Sequence, residues 1–286
     1  MILDFHAHLV GSTADARQTR FNLWNRVLKH MMGVDSVAAF REKIVTDLNS
    51  GPVGQAVLCA IENTPLAAGN QEVLAFCRSH PGFLYGANLN PLSPTIEEET
   101  REAVRAGAVL VKLLPSFQKV DPADERCGPF WELMRAYNLP VLVHTGPEHT
   151  LAGGPGRFND PARLETAARM GVTLVCAHCG CQMMLQERHD LGSWIRLVRR
   201  YPNVYGDASG FWGWVRHFWL RRILRDPALA SRLVFGTDYP SYPHFFRKNA
   251  VNIFAAWVSF FRQAGLSDDF FKRGEHLIRQ EEKGFE

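Results

Sequence analysis

Short apolar runs alternate along the chain with longer stretches of mixed polarity, and the alternation predicts strands and helices in turn. The first run, Met1-Ile2-Leu3, leads into Asp4-Phe5-His6-Ala7-His8 and reads as a short strand ending in two histidines. A long polar and helical stretch over residues 12 to 50 follows, with Leu23, Trp24, Val27, Leu28 and Met31 at helical spacing and Ser50-Gly51-Pro52 as its stop. Gln55 to Ile61 is the second predicted strand, residues 68 to 80 return to helix, and Phe83 to Leu89 is the third strand. Ser93-Pro94 ahead of Glu97, Glu98 and Glu99 marks a helix start, because acidic side chains favour the positive end of the helix macrodipole. Further strands are predicted over 108–114, 140–145, 172–178, 203–208 and 232–237, with helical segments near 128–137, 160–170, 191–200 and up to Arg225. Eight strands, seven of them separated from the next by a helical segment, are the layout of a closed parallel barrel. The expected fold class is therefore α/β, a (β/α)8 TIM barrel, and with no linker or low-complexity tract residues 1–286 read as one domain.

A chain of 286 residues, 46% hydrophobic, is long enough to bury the core such a barrel needs. The formal net charge of +3 is small and the charged residues are mixed in sign, so nothing marks a nucleic-acid surface. No run approaches the ~18 continuous apolar residues of a membrane span. A basic n-region with a cleavage site is also lacking, and the expectation is a cytoplasmic protein without membrane contact. The six cysteines read as reduced in that setting. Cys176 and Cys179 form a C-x-x-C followed by Cys181, but a zinc ribbon needs a second such pair, which the chain lacks.

Strand geometry then points to the chemistry. Side chains on a strand alternate faces, so Asp4, His6 and His8 are expected to point one way and Leu3, Phe5 and Ala7 the other. Two imidazoles two residues apart can grip one cation, and a catalytic zinc takes three protein ligands while keeping a position open for water. Further candidates end other predicted strands: Lys112 in Val109-Leu-Val-Lys112, His144 in Val141-Leu-Val-His144-Thr-Gly146, His178 in Val175-Cys-Ala-His178-Cys-Gly180, and Asp238 in Phe235-Gly-Thr-Asp238-Tyr-Pro240. Active sites in this architecture sit at the C-terminal ends of the strands, where all of these fall. Alternation puts Leu110 with Lys112, Leu142 with His144, Leu174 and Cys176 with His178, and Val234 and Gly236 with Asp238 on the inner face. The polar residues would then cap an apolar interior.

The motifs in this order (H-x-H on strand one, Lys-Leu on four, Val-His-Thr-Gly on five, Ala-His-Cys-Gly on six and Phe-Gly-Thr-Asp-Tyr-Pro on eight) resemble the amidohydrolase superfamily. The similarity is to its amidohydrolase-2 branch of metal-dependent TIM-barrel enzymes and extends from Asp4 to about Leu277. It implies that His6, His8, His144 and Asp238 bind one divalent metal, zinc with manganese as the alternative. His178 would sit beside it, polarising the substrate or helping in proton transfer, and Asp238 would also take a proton from the metal-bound water. Some superfamily members carbamylate a strand-four lysine to bridge two metals; on that pattern Lys112 is the bridge and His144 and His178 hold the second ion. The plainer reading pairs Lys112 with a substrate carboxylate or with Asp238. The second ring nitrogens of the histidines need acceptors, and Asp207 at the end of strand seven is one candidate.

The loop Gly153-Gly154-Pro155-Gly156-Arg157-Phe158 resembles the Gly-Pro-Arg-Phe loop of the family, in which Arg157 would hold a substrate anion. Phe211, Trp212, Trp214, Phe218 and Trp219 would roof the pocket or form a homodimer contact. The chain departs from the family at Gly274-Glu275-His276-Leu277, where a Gly-Asn-Ala-like segment is usual, and this bears on the capping of the last helix. The branch includes lactonases, other hydrolases and non-oxidative decarboxylases of carboxylated rings. The leading expectation is a metal-dependent hydrolase acting on a small, carboxylate-bearing cyclic ester or amide. The alternative is a decarboxylase using the same ligands. A non-catalytic metal-binding barrel is the reading outside enzymology, and it leaves Asp238 beside an open position without a purpose.

Overall fold

Eight strands form one parallel sheet in chain order: β1 (Leu3–Ala7), β2 (Gln55–Cys59), β3 (Phe83–Asn88), β4 (Leu110–Leu113), β5 (Val141–His144), β6 (Leu174–Ala177), β7 (Val204–Asp207) and β8 (Leu233–Val234). Main-chain bonds from Phe5 N to Phe235 O at 3.0 Å, Asp238 N to His6 O at 2.7 Å and His8 N to Tyr239 O at 2.9 Å join the last strand to the first and close the barrel. The computed structural model describes residues 1–12, 36–64, 66–148, 151, 153–182, 184–211, 214–240 and 252–278. Around the barrel lie α1 (Val37–Ser50), α2 (Asn70–Ser79), α3 (Ile96–Arg105), α4 (Pro115–Gln118), α5 (Gly128–Ala136), α6 (Glu165–Arg169), α7 (Leu191–Arg200), α8 (Trp214–Leu224), α9 (Pro227–Ala230), α10 (Ile253–Gln263) and α11 (Asp268–Ile278). The predicted barrel is thus the observed one, although the helical spacing of Leu23, Trp24, Val27, Leu28 and Met31 lies outside the described residues. Among the described residues no helix is long and apolar enough to cross a membrane.

Strands buried on both faces need apolar residues at every position, which is why β5 and β6 read as continuous runs. One set of side chains fills the barrel: Leu3, Phe5, Val57, Cys59, Leu110, Leu142, Val175, Ala177 and Val234, with Leu277 of α11. The opposite faces pack on the helices, as with Ala56, Leu58, Val111, Val141, Val143, Leu174 and Cys176. Helix ends follow their local chemistry. Ser36 caps α1 by accepting from Ala39 N at 3.1 Å, and α3 carries Glu97, Glu98 and Glu99 in its first turn and Arg105 in its last.

Two expectations about strand faces are corrected. On β1, Leu3 and Phe5 share the barrel interior as expected but Ala7 packs with the helix layer, because the pairing with β2 slips between Asp4 and Ala7. The Asp4 carboxylate takes the His6 amide, at 3.0 Å, in place of a ladder partner, and this bulge resets the alternation. On β6, Val175 and Ala177 face inward while Leu174 and Cys176 face the helices. His178 reaches the site because the chain turns there, with φ of 61° at His178 and 53° at Cys179. At the C-terminus α11 runs unbroken through Gly274, where a Cβ would stand 3.1 Å from Phe5 and 3.3 Å from Val234, so the glycine admits close packing of the helix on the barrel.

Candidate metal centre

The β1 bulge brings the two histidines of the H-x-H together. His6 Nε2 and His8 Nε2 stand 3.1 Å apart. Each ring is turned by its other nitrogen: His6 Nδ1 donates to Asp207 Oδ2 at 2.7 Å, and His8 Nδ1 donates to the Cys59 carbonyl at 2.9 Å. Both Nε2 atoms therefore present lone pairs to the same space. Asp238 Oδ1 completes a triangle, 3.3 Å from His6 Nε2 and 3.4 Å from His8 Nε2.

Three acceptors so close repel one another unless a cation lies among them. Donors ~2.0–2.1 Å from a tetrahedral zinc sit about 3.3 Å apart, so this triangle fits one divalent ion. Among the described residues, His6, His8 and Asp238 are the group whose donor atoms all lie within 4.8 Å of one another. Asp238 keeps 30% of its side-chain surface exposed, against 1% for His6, which leaves an approach for substrate on its side.

Asp238 is held where it is by the barrel seam. Asp4 Oδ1 accepts from Thr237 N at 3.0 Å and Asp4 Oδ2 from Thr237 Oγ1 at 2.6 Å. Thr237 Oγ1 in turn accepts from Tyr239 N at 3.0 Å, and Asp238 between them adopts φ 54°. Burial pushes the Asp4 carboxyl up to about 7 against the pull of the Thr237 and His6 donors.

Asp207, at the end of β7, is fully buried and organises the opposite wall. Its Oδ1 accepts from His178 N at 2.9 Å, Ser209 N at 3.1 Å and Ser209 Oγ at 2.6 Å, while Oδ2 holds His6. Against burial, the His6 and His178 partners and the Ser209 hydroxyl keep its carboxyl well below the usual carboxylate range. Asp238 is likewise held low, against burial, by His6, His8 and His178. The role expected for Asp207 as a histidine acceptor is the geometry observed.

His178 Nδ1 lies 3.0 Å from the Ser209 carbonyl, so its proton is committed there and Nε2, 4.0 Å from Asp238 Oδ2, carries a lone pair. That arrangement suits proton acceptance or metal ligation. Burial, then Arg216, lowers the His178 pKa well below its ordinary value; burial also lowers that of His144. The His144 ring centroid is 5.2 Å from that of His178, and its buried Nε2 makes no hydrogen bond. Glu148 Oε2 lies 3.3 Å from that nitrogen. The Val-His-Thr-Gly and Ala-His-Cys-Gly motifs interlock beneath these rings: Thr145 Oγ1 donates to Ala177 O at 2.5 Å and accepts from Gly180 N at 2.9 Å. Gly146 adopts φ 85°, and a Cβ there would press on the Gly180 and Cys181 backbone at 3.1 Å.

Lys112 is 1% exposed and its Nζ lies 2.8 Å from His6 Nε2, so the ammonium donates to the lone pair that faces the triangle. Burial, with Lys112 next, lowers the His6 pKa to about 4. Arg157 is exposed, its guanidinium 5.3 Å from the centre of the Phe158 ring. Another arginine is closer. Arg216 on α8 is 3% exposed; its Nη2 donates to the Cys181 carbonyl at 3.3 Å and its Nε has no partner. Its Nη1 and His178 Nδ1 both border the vacant Cβ position of Gly210. Of the aromatic segment, Phe211 is buried and Phe218 is 62% exposed, while Trp212 and the side chain of Trp214 lie outside the described residues. A cavity of about 810 Å³ between α2 and α3, bordered by Glu62, Asn70, Glu99 and Glu102, contains none of the donor residues.

With this geometry in place, the profile of the amidohydrolase family (Amidohydro_2) matches residues 4–270. The chain belongs to the amidohydrolase family. No curated protein sequence matches it. Among solved structures, an uncharacterized TIM-barrel protein from Bordetella bronchiseptica is 17% identical with a TM-score of 0.71, covering 97% of this chain and 99% of that one. A probable 2-pyrone-4,6-dicarboxylic acid hydrolase from Acinetobacter baumannii with citric acid bound is 15% identical, TM-score 0.62, covering 97% and 95%. A 2,6-dihydroxybenzoate decarboxylase from Rhizobium is 16% identical, TM-score 0.60, covering 97% and 98%. These likenesses establish the barrel. The family holds hydrolases and decarboxylases alike, and its metal dependence agrees with the His6, His8 and Asp238 cluster of this amidohydrolase.

Proposed function

We propose that this amidohydrolase is a metal-dependent hydrolase of a small, carboxylate-bearing cyclic ester or amide. The observation that carries the substrate class is Arg216, a buried guanidinium beside His178 whose Nη2 donates to the Cys181 carbonyl and whose Nε is unpaired. A buried guanidinium nitrogen without a hydrogen-bond partner is costly, and the planar fork of arginine suits a carboxylate received at two points. Arg216 stands beside His178 and is not a member of the His6, His8 and Asp238 donor set, although Asp238 and Asp207 are near enough to act on its charge. A carboxylate it takes is kept, whereas a carboxylate about to leave as CO₂ would face the donor cluster. This favours hydrolysis over decarboxylation.

His6, His8 and Asp238 would hold the cation, zinc by the nitrogen-rich donor set, with His144 as the further nitrogen. A divalent cation bound there lowers the pKa of water from ~15.7 toward ~7. Asp238, with Oδ2 directed toward His178, takes the proton of the attacking water and passes it to the leaving group. His178, neutral and fixed by Ser209, accepts a hydrogen bond from the substrate or water. Lys112 stabilises negative charge that develops next to His6. Arg157, on the exposed loop after β5, would meet a second anionic group of a larger substrate.

Turnover of a panel of lactones and carboxylated aromatic rings in ¹⁸O-labelled water tests the reading. Label in an acid product is expected. Release of CO₂ with no label in the organic product would overturn it. Arg216→Gln should raise KM for the carboxylate-bearing substrate roughly 100-fold, the loss of a charged hydrogen-bond pair, and leave an uncharged analogue unaffected.

A further inference from the structure

Asp47 on α1 is a buried carboxylate, 3% exposed, that touches none of the donor atoms. Lys43 balances its charge from one turn earlier, with Nζ 2.8 Å from Oδ1. Its other partners come from two places far along the chain. Oδ2 accepts the Tyr239 hydroxyl at 3.2 Å and the Ile253 amide at 3.2 Å. Its carbonyl accepts Asn252 Nδ2 at 2.5 Å, and Asn252 Oδ1 caps α10 by accepting from Ala255 N at 2.9 Å. Gly51 makes the approach feasible, since a Cβ there would stand 2.7 Å from the Asp47 carbonyl and 2.9 Å from Asn252 Nδ2.

Tyr239 is the residue after Asp238. Its ring is buried between Phe254, at 5.1 Å, and Phe40, at 5.7 Å, and its main-chain carbonyl accepts His8 N at 2.9 Å. One residue therefore touches the helix layer through its hydroxyl and the H-x-H strand through its backbone. Asp238 beside it sits at φ 54°, a conformation that a non-glycine residue keeps only where its surroundings enforce it.

We propose that Asp47 is a positioning residue of the metal centre: through the Tyr239 hydroxyl it fixes the backbone that aims Asp238 Oδ1 at the His6 and His8 nitrogens. The proposal rests on the reading of that triangle as a metal site. Loss of the tether lets the Asp238–Tyr239 segment relax relative to β1, and the donor spacing loosens while the barrel stays closed.

The test is zinc affinity of the metal-free full-length protein, measured by competition with a chromophoric chelator, alongside thermal melting. Tyr239→Phe keeps the ring packing and removes only the hydroxyl; it should weaken zinc binding about tenfold, as loss of support behind a ligand does. Asp47→Ala should weaken it by a similar factor, and the double variant should be no worse than the poorer single, because both cut one tether. Ser36→Ala, which removes the cap at the other end of α1, should lower the melting temperature and leave zinc affinity unchanged. Zinc binding by Tyr239→Phe within twofold of wild type, or losses that add in the double variant, would overturn the proposal. Absence of zinc binding by the wild type would instead overturn the metal reading, and this inference with it.

Discussion

Replacing Asp207 with asparagine exchanges one oxygen for an NH₂ group and should empty the metal centre. Three donors, His178 N, Ser209 N and Ser209 Oγ, converge on Oδ1, so the amide oxygen of the introduced side chain must stay there and its NH₂ must face His6 Nδ1. His6 can meet that donor only by accepting at Nδ1, which moves its proton to Nε2. Nε2 would then point a hydrogen at the triangle and at Lys112 Nζ, 2.8 Å away, which is itself a donor. Zinc affinity should fall about 100-fold, the upper end of what a lost supporting partner costs, equivalent to roughly 2.7 kcal/mol. The charge-assisted bond given up is worth about 1.5–3 kcal/mol of stability, a drop of roughly 5 °C in Tm for a chain of this size. Asp207→Ala separates the two effects. It strands four buried donors, His6 Nδ1 among them, and should melt lower than Asp207→Asn, yet it leaves the His6 tautomer free and should bind zinc more tightly. Zinc affinity measured by chelator competition decides: Asp207→Asn within threefold of wild type, or weaker binding by the alanine variant, would refute the tautomer argument.

Other outcomes follow from the same geometry. Purified protein should carry close to one zinc or manganese per chain, and His6→Ala or His144→Ala should lose it by elemental analysis; unchanged metal content in His6→Ala would be the contrary result. Lys112→Met should leave metal content at one equivalent and tighten zinc binding about tenfold, because the ammonium no longer competes for His6 Nε2; loss of a second equivalent would instead mean a bridging lysine. His6 titrates near 6.5 when unfolded but near 4 when folded, so the unfolded chain binds more protons between those values. Metal-free protein should therefore lose about 3 kcal/mol from this group as pH falls through that window. Asp4, raised to about 7, acts in the opposite sense, so Asp4→Asn should steepen the loss in urea titrations at pH 4, 5.5 and 7; equal slopes would contradict it. Trp131→Ala, at a 1% exposed site, should cost about 3–5 kcal/mol in the same assay.

The barrel and its polar rim were legible because continuous apolar runs and strand-end histidines are local signals. His6, His8 and Asp238 meet, and Asp207 is the acceptor of the His6 ring. What escaped depends on backbone irregularity or on packing between distant segments. Face alternation failed on β1 because the Asp4 side chain takes over the His6 amide, and on β6 because His178 is aimed by a left-handed turn. Neither leaves a mark in a period-two pattern. Glu148 stands four residues after His144 in a Gly-Pro-Glu loop, and that spacing was its one available signal. Arg216 lies within the segment singled out for its aromatic residues alone; only the packing of α8 against Gly210 and Cys181 reveals it as buried. Thr237 and Tyr239 owe their importance to partners more than 190 residues away.

The closure of the barrel by β1 and β8 has a consequence for how the protein matures. His6 and His8 emerge during synthesis about 230 residues ahead of Asp238, so no intermediate lacking the last strand can own the complete triangle. An ion captured by the triangle bridges the two ends of the sheet and is bound by the closed ring alone. By mass action it holds the seam shut, with a strength that grows as the logarithm of free metal over Kd. A divalent ion bound there would thus act as a check on ring closure, since chains that have mispaired or left the seam open would compete poorly for it.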